Sequence, residues 1–116
     1  MPDPRATAER YVQVAVAEGR EVKLAELFAP DATFHAPNGT IYRGREEIAG
    51  FYLEYLTRVT PAFHIHRSVA EGRDCWIELA DGTPDDPILR AGNHFTVDDD
   101  GFIERLAVFL RPQPRS

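Results

Sequence analysis

The spacing of apolar residues in this chain changes after the third of three helical stretches, and that change limits what it can fold into. In those three stretches, apolar residues recur every three or four positions. Beyond the third, they alternate. In "ATAERYVQVAVAEG", Ala8, Tyr11, Val12 and Ala15 stand at i, i+3, i+4 and i+7, one face of a helix, and Gly19 is a stop signal. "EVKLAELFAP" places Leu24, Leu27 and Phe28 on one face and ends before Pro30, whose ring disfavours helix in the preceding residue. "GREEIAGFYLEYLTRV" carries a stripe of Ile48, Phe51, Tyr52, Tyr55 and Leu56. Glu46 and Glu47 lie in its first turn, where the helix dipole favours negative charge.

Between the second and third helices, residues 32 to 36 read as a short strand, stopped by Pro37, Asn38 and Gly39. Beyond Pro61, "AFHIHRSVA", "CWIELA", "ILRAGNHFTV" and "FIERLAVFL" read as strands, separated by the turns "EGRD", "DGTPDDP" and "DDDG". The order is helix, helix, strand, helix and then four antiparallel strands. Helices segregated at one end of an antiparallel sheet define an α+β fold. A strongly curved sheet with helices over its open side encloses a pocket. "MPDP" and "RPQPRS" read as short tails.

At 116 residues the chain suits one domain, residues 1–116, with a single core. A formal charge of −6 with scattered basic residues argues against nucleic acid as a partner. No apolar run reaches the roughly 18 residues of a membrane span, and "MPDPRATAER" has no apolar segment of the signal-peptide kind. Cys75 stands alone, so no intrachain disulfide forms. The reading is a cytoplasmic protein.

The run "AERYVQVAVAEGREVKLAELFAPDATFHAPNG", followed by "YRGREEIAGFY", resembles the nuclear transport factor 2-like superfamily. It is most similar to the branch containing ketosteroid isomerases and SnoaL-like polyketide cyclases. "LFAPDATF", "YRGREEI" and "NHFTVDDDGFIERLAVF" are its most telling pieces. The resemblance implies a conical half-barrel around an apolar pocket, commonly dimeric and free of cofactors. In ketosteroid isomerases a helix-1 tyrosine and a protonated aspartic acid polarise a substrate carbonyl, and a carboxylate at the end of the first strand moves the proton. By resemblance the tyrosine falls on Tyr11, the aspartic acid on Asn93 and the carboxylate on Ala36. An amide NH2 still donates to an oxyanion. Alanine has no acid–base chemistry, so Ala36 speaks against steroid isomerisation by that mechanism.

The residues themselves leave alternatives. Tyr11, on an apolar stripe, is either a core tyrosine or a pocket hydroxyl. Asn93 shares a strand face with Ala91, Phe95 and Val97 and is either a structural amide or a ligand contact. Glu78 shares a face with Trp76 and Ala80. If Trp76 lines the pocket, Glu78 is a candidate proton-transfer group with a pKa raised by desolvation; otherwise it is partly solvated and paired with an arginine. Phe51, Tyr55, Trp76, Phe95, Leu106 and Val108 complete the expected pocket wall, beside Ala36. His35 and His94 should point away from the pocket. His64 and His66 form an H-x-H pair without a clear third metal ligand, Cys75 reads as packing, and "DDDG" as a turn in preference to half a calcium loop. Ala107 and Phe109, with His94 and Thr96, offer a mixed apolar face with no helix left to cover it, which suits a homodimer.

Two functions follow from different classes. One is a protein that holds a small apolar carbonyl or phenolic molecule. The other is a cofactor-free isomerase, dehydratase or cyclase using Tyr11 and Asn93 as oxyanion donors and Glu78, a histidine or water for the proton. A third reading, a purely dimeric module, requires Phe51, Tyr55, Trp76 and Phe95 to fill the pocket.

Overall fold

The computed structural model describes residues 2–18 and 20–111. The expected stop at Gly19 lies outside these residues, as does the C-terminal tail beyond Arg111. Helix α1 spans Pro4–Ala17. The Asp3 carboxylate caps it, accepting from the backbone N–H of Arg5 and of Ala6 at 3.0 and 3.3 Å. Proline at the first helical position costs nothing, because its missing N–H would have no helical partner there. Helix α2 spans Glu21–Ala25 and α3 spans Gly44–Arg58.

The strands are β1 Phe28–His35, β2 Ile41–Arg43, β3 His64–Glu71, β4 Asp74–Thr83, β5 Asp86–Val97 and β6 Ile103–Leu110. They form one open sheet in the order β2-β1-β6-β5-β4-β3. Only β1 and β6 run parallel; the other neighbours are antiparallel. The fold is α+β, with three helices and a six-stranded, mostly antiparallel sheet that is not closed.

The inner face of the sheet follows from alternation. Cys75, Ile77 and Leu79 of β4, Asn93, Phe95 and Val97 of β5, and Leu106 of β6 are all buried. They pack against Tyr11 and Ala15 of α1 and Ile48 and Tyr52 of α3. One pattern expectation fails at the start of β1. Leu27 and Phe28 complete a helical stripe in sequence, yet α2 ends at Ala25 and Phe28 opens the strand. The Ile103 N–H donates to the Leu27 carbonyl at 2.9 Å, so the ladder with β6 takes this segment from the helix. Pro30 is accommodated because the β1–β6 register shifts between Phe28 and Thr33. The three-residue β2 was not legible as a strand. It pairs with β1 across the Pro37–Gly39 turn, closed by the Gly39 N–H on the Ala36 carbonyl at 3.0 Å.

The β4–β5 hairpin turns at Pro84 and Asp85, and just before it Gly82, paired with Pro87, has a φ of +84°. A Cβ there would stand 2.6 Å from the Asp86 carbonyl oxygen, so only glycine fits.

Candidate functional site

Helices α1 and α3 do not fully cover the inner face of the sheet. Between them lies a cavity of about 340 Å³, at the small end of the roughly 300–1,000 Å³ range of small-molecule sites. Its wall is mostly apolar and rich in rings: Tyr11, Phe34, Phe51, Tyr52, Tyr55 and Phe63. These rings are held by one another. Phe34 and Phe51 lie with centroids 4.6 Å apart, and Tyr11 meets Phe95 edge-on at 5.2 Å. The third reading of the sequence, a pocket filled by its own aromatic residues, does not match this geometry.

Four kinds of polar group reach the cavity. The first is a buried pair: the Tyr11 hydroxyl is hydrogen-bonded to the Tyr52 hydroxyl. One of the two donates to the other, which leaves the second O–H free to donate elsewhere. The second is Tyr55. Burial pushes all three phenols above their ordinary pKa. For Tyr11 the bond to Tyr52 offsets part of this and nearby Tyr55 adds to it. For Tyr52 the proximity of Tyr11 adds, and for Tyr55 the negative charge of Asp81 does. All three therefore stand as neutral donors at neutral pH and are poor bases.

The third polar group is Asn93, 2% exposed and flanked across the sheet by Ile77 and Val108. Its Oδ1 has no hydrogen-bond partner. The structural alternative, an amide bonded to Tyr11 or to backbone, is not met at this oxygen, and the Tyr11 hydroxyl bonds Tyr52. A buried, unpartnered amide oxygen costs about 1–3 kcal/mol, a cost expected where a polar group serves something other than stability.

The fourth is Arg90, which simple alternation would turn away from the cavity. Leu79 pairs with Ala91 and Ala80 with Leu89, so Arg90 is the extra residue of a β-bulge. The bulge brings Arg90 and its neighbour Ala91 both onto the cavity wall. The Arg90 Nε donates to Asp81 Oδ2 at 2.6 Å, and both side chains are partly exposed, so this pair lies where the cavity meets solvent.

The structure sorts the sequence-derived candidates as follows. Tyr11, Asn93, Phe51, Tyr55 and Val108 line the cavity. Ala36, Phe95 and Leu106 are buried on the same side but stand behind the wall. Ala36 lies between the wall residues Phe34 and Pro37. Trp76 and Glu78 need correction. Trp76 is 48% exposed on the outer face of β4, while Cys75 and Ile77 face inward. Glu78 follows Trp76 outward, opposite Arg67 and Gly92, and is only partly buried. Their expected companion Ala80 is buried because the bulge reverses the alternation after Leu79.

His35 and His94 also lie off the cavity. His35 Nε2 is 3.2 Å from Thr33 Oγ1, and its pKa is lowered by desolvation and by Arg105 and Arg43. His94 stacks on Trp76 at 4.0 Å and bonds Asp74 at 2.8 Å. Cys75 is buried, and burial raises its thiol pKa. Among the described residues no cluster of three or more His, Cys, Asp or Glu could hold a metal ion, His64 and His66 included. "DDDG" is a turn in which Asp98 Oδ1 accepts from the backbone of Asp100 and Phe102.

Two functional-site residues escaped the sequence. Tyr52 was legible as a stripe residue, four positions after Ile48, but its partnership with Tyr11 was not. Arg90 carried no signal, because a bulge is set by the pairing of two strands.

The sequence model of the SnoaL-like domain family matches residues 8–106. The chain belongs to the SnoaL-like domain family. No curated protein matches it significantly. Solved structures agree on the fold. A steroid delta-isomerase from Pseudomonas aeruginosa is 27% identical, with a TM-score of 0.72, covering 94% of this chain and 80% of that one. The epoxide hydrolase/cyclase-like enzyme SalBIII, described in pyran ring formation of the polyether salinomycin, is 22% identical, with a TM-score of 0.74 and coverage of 93% and 90%. A de novo designed protein with a curved β-sheet is 16% identical, with a TM-score of 0.73 and coverage of 94% and 85%. A designed scaffold among the neighbours of a SnoaL-like chain shows that this fold does not by itself specify chemistry.

In chemical terms the cavity can donate hydrogen bonds to a ligand oxygen from the tyrosine pair and from the Asn93 amide. Among the described residues that line it there is no carboxylate and no imidazole.

Proposed function

We propose that this SnoaL-like chain is a small-molecule-binding protein that holds a small apolar carbonyl or phenolic ligand, with Tyr11 and Asn93 on its oxygen. One observation carries this reading. The wall of one apolar cavity carries both the buried amide of Asn93, whose oxygen has no partner, and a tyrosine pair that retains a free O–H. The free O–H donates to a ligand oxygen and the Asn93 oxygen accepts from a phenolic hydroxyl, and both bonds are stronger in a water-poor site than in water. Titration with 2-naphthol, followed by its fluorescence, tests the reading. Saturable binding that Tyr11→Phe and Asn93→Ala both weaken is the expected result. Absence of binding, or binding indifferent to both substitutions, rejects it.

The alternative is a cofactor-free isomerase, dehydratase or cyclase. The 27% identical steroid delta-isomerase supports it. Against it stands proton transfer: Ala36 has no acid–base group, and Glu78 faces away from the cavity. Water held by Tyr55 or Asn93 would have to serve.

We further propose a homodimer formed through the outer face of the sheet. Trp76, Phe109 and Val69 are exposed there at 48%, 53% and 66%. Acidic Glu71, Asp74 and Glu78, with the single basic Arg67 opposite Glu78, lie on its β3–β4 side and basic Arg105 and Arg43 on its β6–β2 side. A two-fold axis along the strands sets each acidic side against the basic side of the second copy. No helix among the described residues is long and apolar enough to cross a membrane, and a cytoplasmic site of action is part of the proposal.

A further inference from the structure

We infer that Arg90 is a specificity residue, and that the ligands preferred by this cavity are small apolar acids whose carboxylate Arg90 receives at the mouth. This rests on the ligand-binding reading above and names its ligand class.

The argument begins with the bulge. In an unbroken strand, Arg90 would point opposite to Ala91, away from the helices. The extra residue between the Ala80–Leu89 and Leu79–Ala91 pairs abolishes that alternation and brings Arg90 to the cavity wall. Bulges beside sites commonly re-aim one side chain in this way. The strand end is fixed on both sides. The Arg111 N–H donates to the Arg90 carbonyl at 3.0 Å, and the hairpin beyond Asp81 includes the glycine-only position Gly82, paired with Pro87.

Arg90 is the only charged residue among the described residues that line the cavity. Asp81 takes its Nε, one of five N–H donors, at 2.6 Å. That contact orients the guanidinium and leaves its terminal amino groups available. A planar fork of N–H donors matches a carboxylate in shape and charge. The apolar rings behind it accept the body of the molecule, and the small volume limits that body to a ring system or short chain. A partly exposed cation is screened by water and shared with Asp81, so the gain is modest.

The test compares naphthalene-2-carboxylate with naphthalene-2-carboxamide, two probes of the same shape, by calorimetry at neutral pH and low salt. The expected result is that the acid binds about three- to tenfold more tightly. Arg90→Gln should abolish that preference by weakening the acid more than the amide, and added salt should weaken the acid more than the amide. Arg90→Lys should keep part of the preference. Equal binding of acid and amide, or a preference that survives Arg90→Gln, overturns the inference while the pocket reading stands. Failure of both probes to bind overturns the two together.

Discussion

The Tyr11 hydroxyl is bonded to the Tyr52 hydroxyl, so the first and third helices meet through two buried phenols at the wall of the cavity. Each is less than 10% exposed, and each is the other's partner. Removing one leaves the other buried without it. Tyr52→Phe should therefore destabilise the protein by about 1–3 kcal/mol. The double substitution Tyr11→Phe/Tyr52→Phe should cost less than the sum of the singles, because it leaves no orphan. Urea denaturation of the four proteins measures this coupling, and strictly additive losses would show that the bond contributes nothing.

The same pair gives the fold an alkaline limit. Both phenols have pKa values raised above the ordinary 10.0, chiefly by burial. A raised folded pKa means that the unfolded chain releases these protons first. The stability they confer is fully present below pH 10.0 and is lost as pH rises through the folded values. Stability should thus fall steeply above about pH 10, and the double phenylalanine variant should show a shallower fall. Denaturation midpoints at pH 8 and pH 11 decide it, and parallel slopes for the two proteins would count against burial as the cause.

Alternation reveals which residues share a face, but not which face is covered. In β5 the two questions have one answer, because Phe95 and Val97 mark the inner face and carry Asn93 with them. In β4 both faces carry large apolar groups: Cys75, Ile77 and Leu79 on one, Trp76 on the other. The larger ring suggested the wrong side. Trp76 lies outside because His94 and Phe109 on the neighbouring strands stack against it there. The start of β1 misled for another reason: Leu27 and Phe28 fit a helical stripe, and only the distant β6 backbone decides otherwise. The helices α1 and α3 were legible because their stripes are long and their partners lie on one side. Arg90 was not, since pairing between strands creates the bulge that places it.

Ala36 yields a chemical prediction. It is buried between the wall residues Phe34 and Pro37, at the turn after β1. The protein should not isomerise a β,γ-unsaturated ketone measurably, because no carboxylate is present there. Ala36→Asp places a carboxylate in poorly solvated surroundings, where its pKa rises towards the useful range. Ultraviolet absorbance of the conjugated product follows the reaction. The expected outcome is no wild-type rate and a detectable rate in the variant; a wild-type rate unaffected at Ala36 would show that another group moves the proton.

The proposed dimer is tested on Trp76. Its ring is half exposed on the outer face, one strand in from the β3 edge, stacked on His94 and facing Phe109. Burial of a large ring at about 25 cal/mol per Å² is the main favourable contribution such a face can make. The wild type should sediment as a dimer at micromolar concentration. Trp76→Glu places a charge in the proposed interface, so it should sediment as a monomer with an unchanged circular dichroism spectrum. A wild-type monomer, or a dimer that Trp76→Glu leaves intact, would remove this face from consideration.

The most direct test concerns Tyr11 and Asn93 together. They come from opposite ends of the chain, one on a helix stripe and one on an alternating strand, and both reach the same cavity wall. They do not satisfy each other. Tyr11 is engaged with Tyr52, and the Asn93 oxygen has no partner. A ligand hydroxyl seated between them would accept from the free O–H of the tyrosine pair and donate its own hydrogen to the Asn93 oxygen, and each contact would hold it in position for the other. For 2-naphthol, Tyr11→Phe and Asn93→Ala should each weaken binding about five- to a hundredfold, the range that corresponds to a lost buried hydrogen bond of roughly 1–3 kcal/mol. If one oxygen meets both groups, the double variant should lose less than the product of the single losses, because the second contact is already misplaced once the first is gone. The methyl ether of the same ring system provides the control. It keeps the apolar body but offers no hydroxyl hydrogen, and it should respond less to Asn93→Ala than the naphthol does. Independent, multiplicative losses would mean that Tyr11 and Asn93 touch different parts of the ligand, and the shared-oxygen geometry would have to be abandoned.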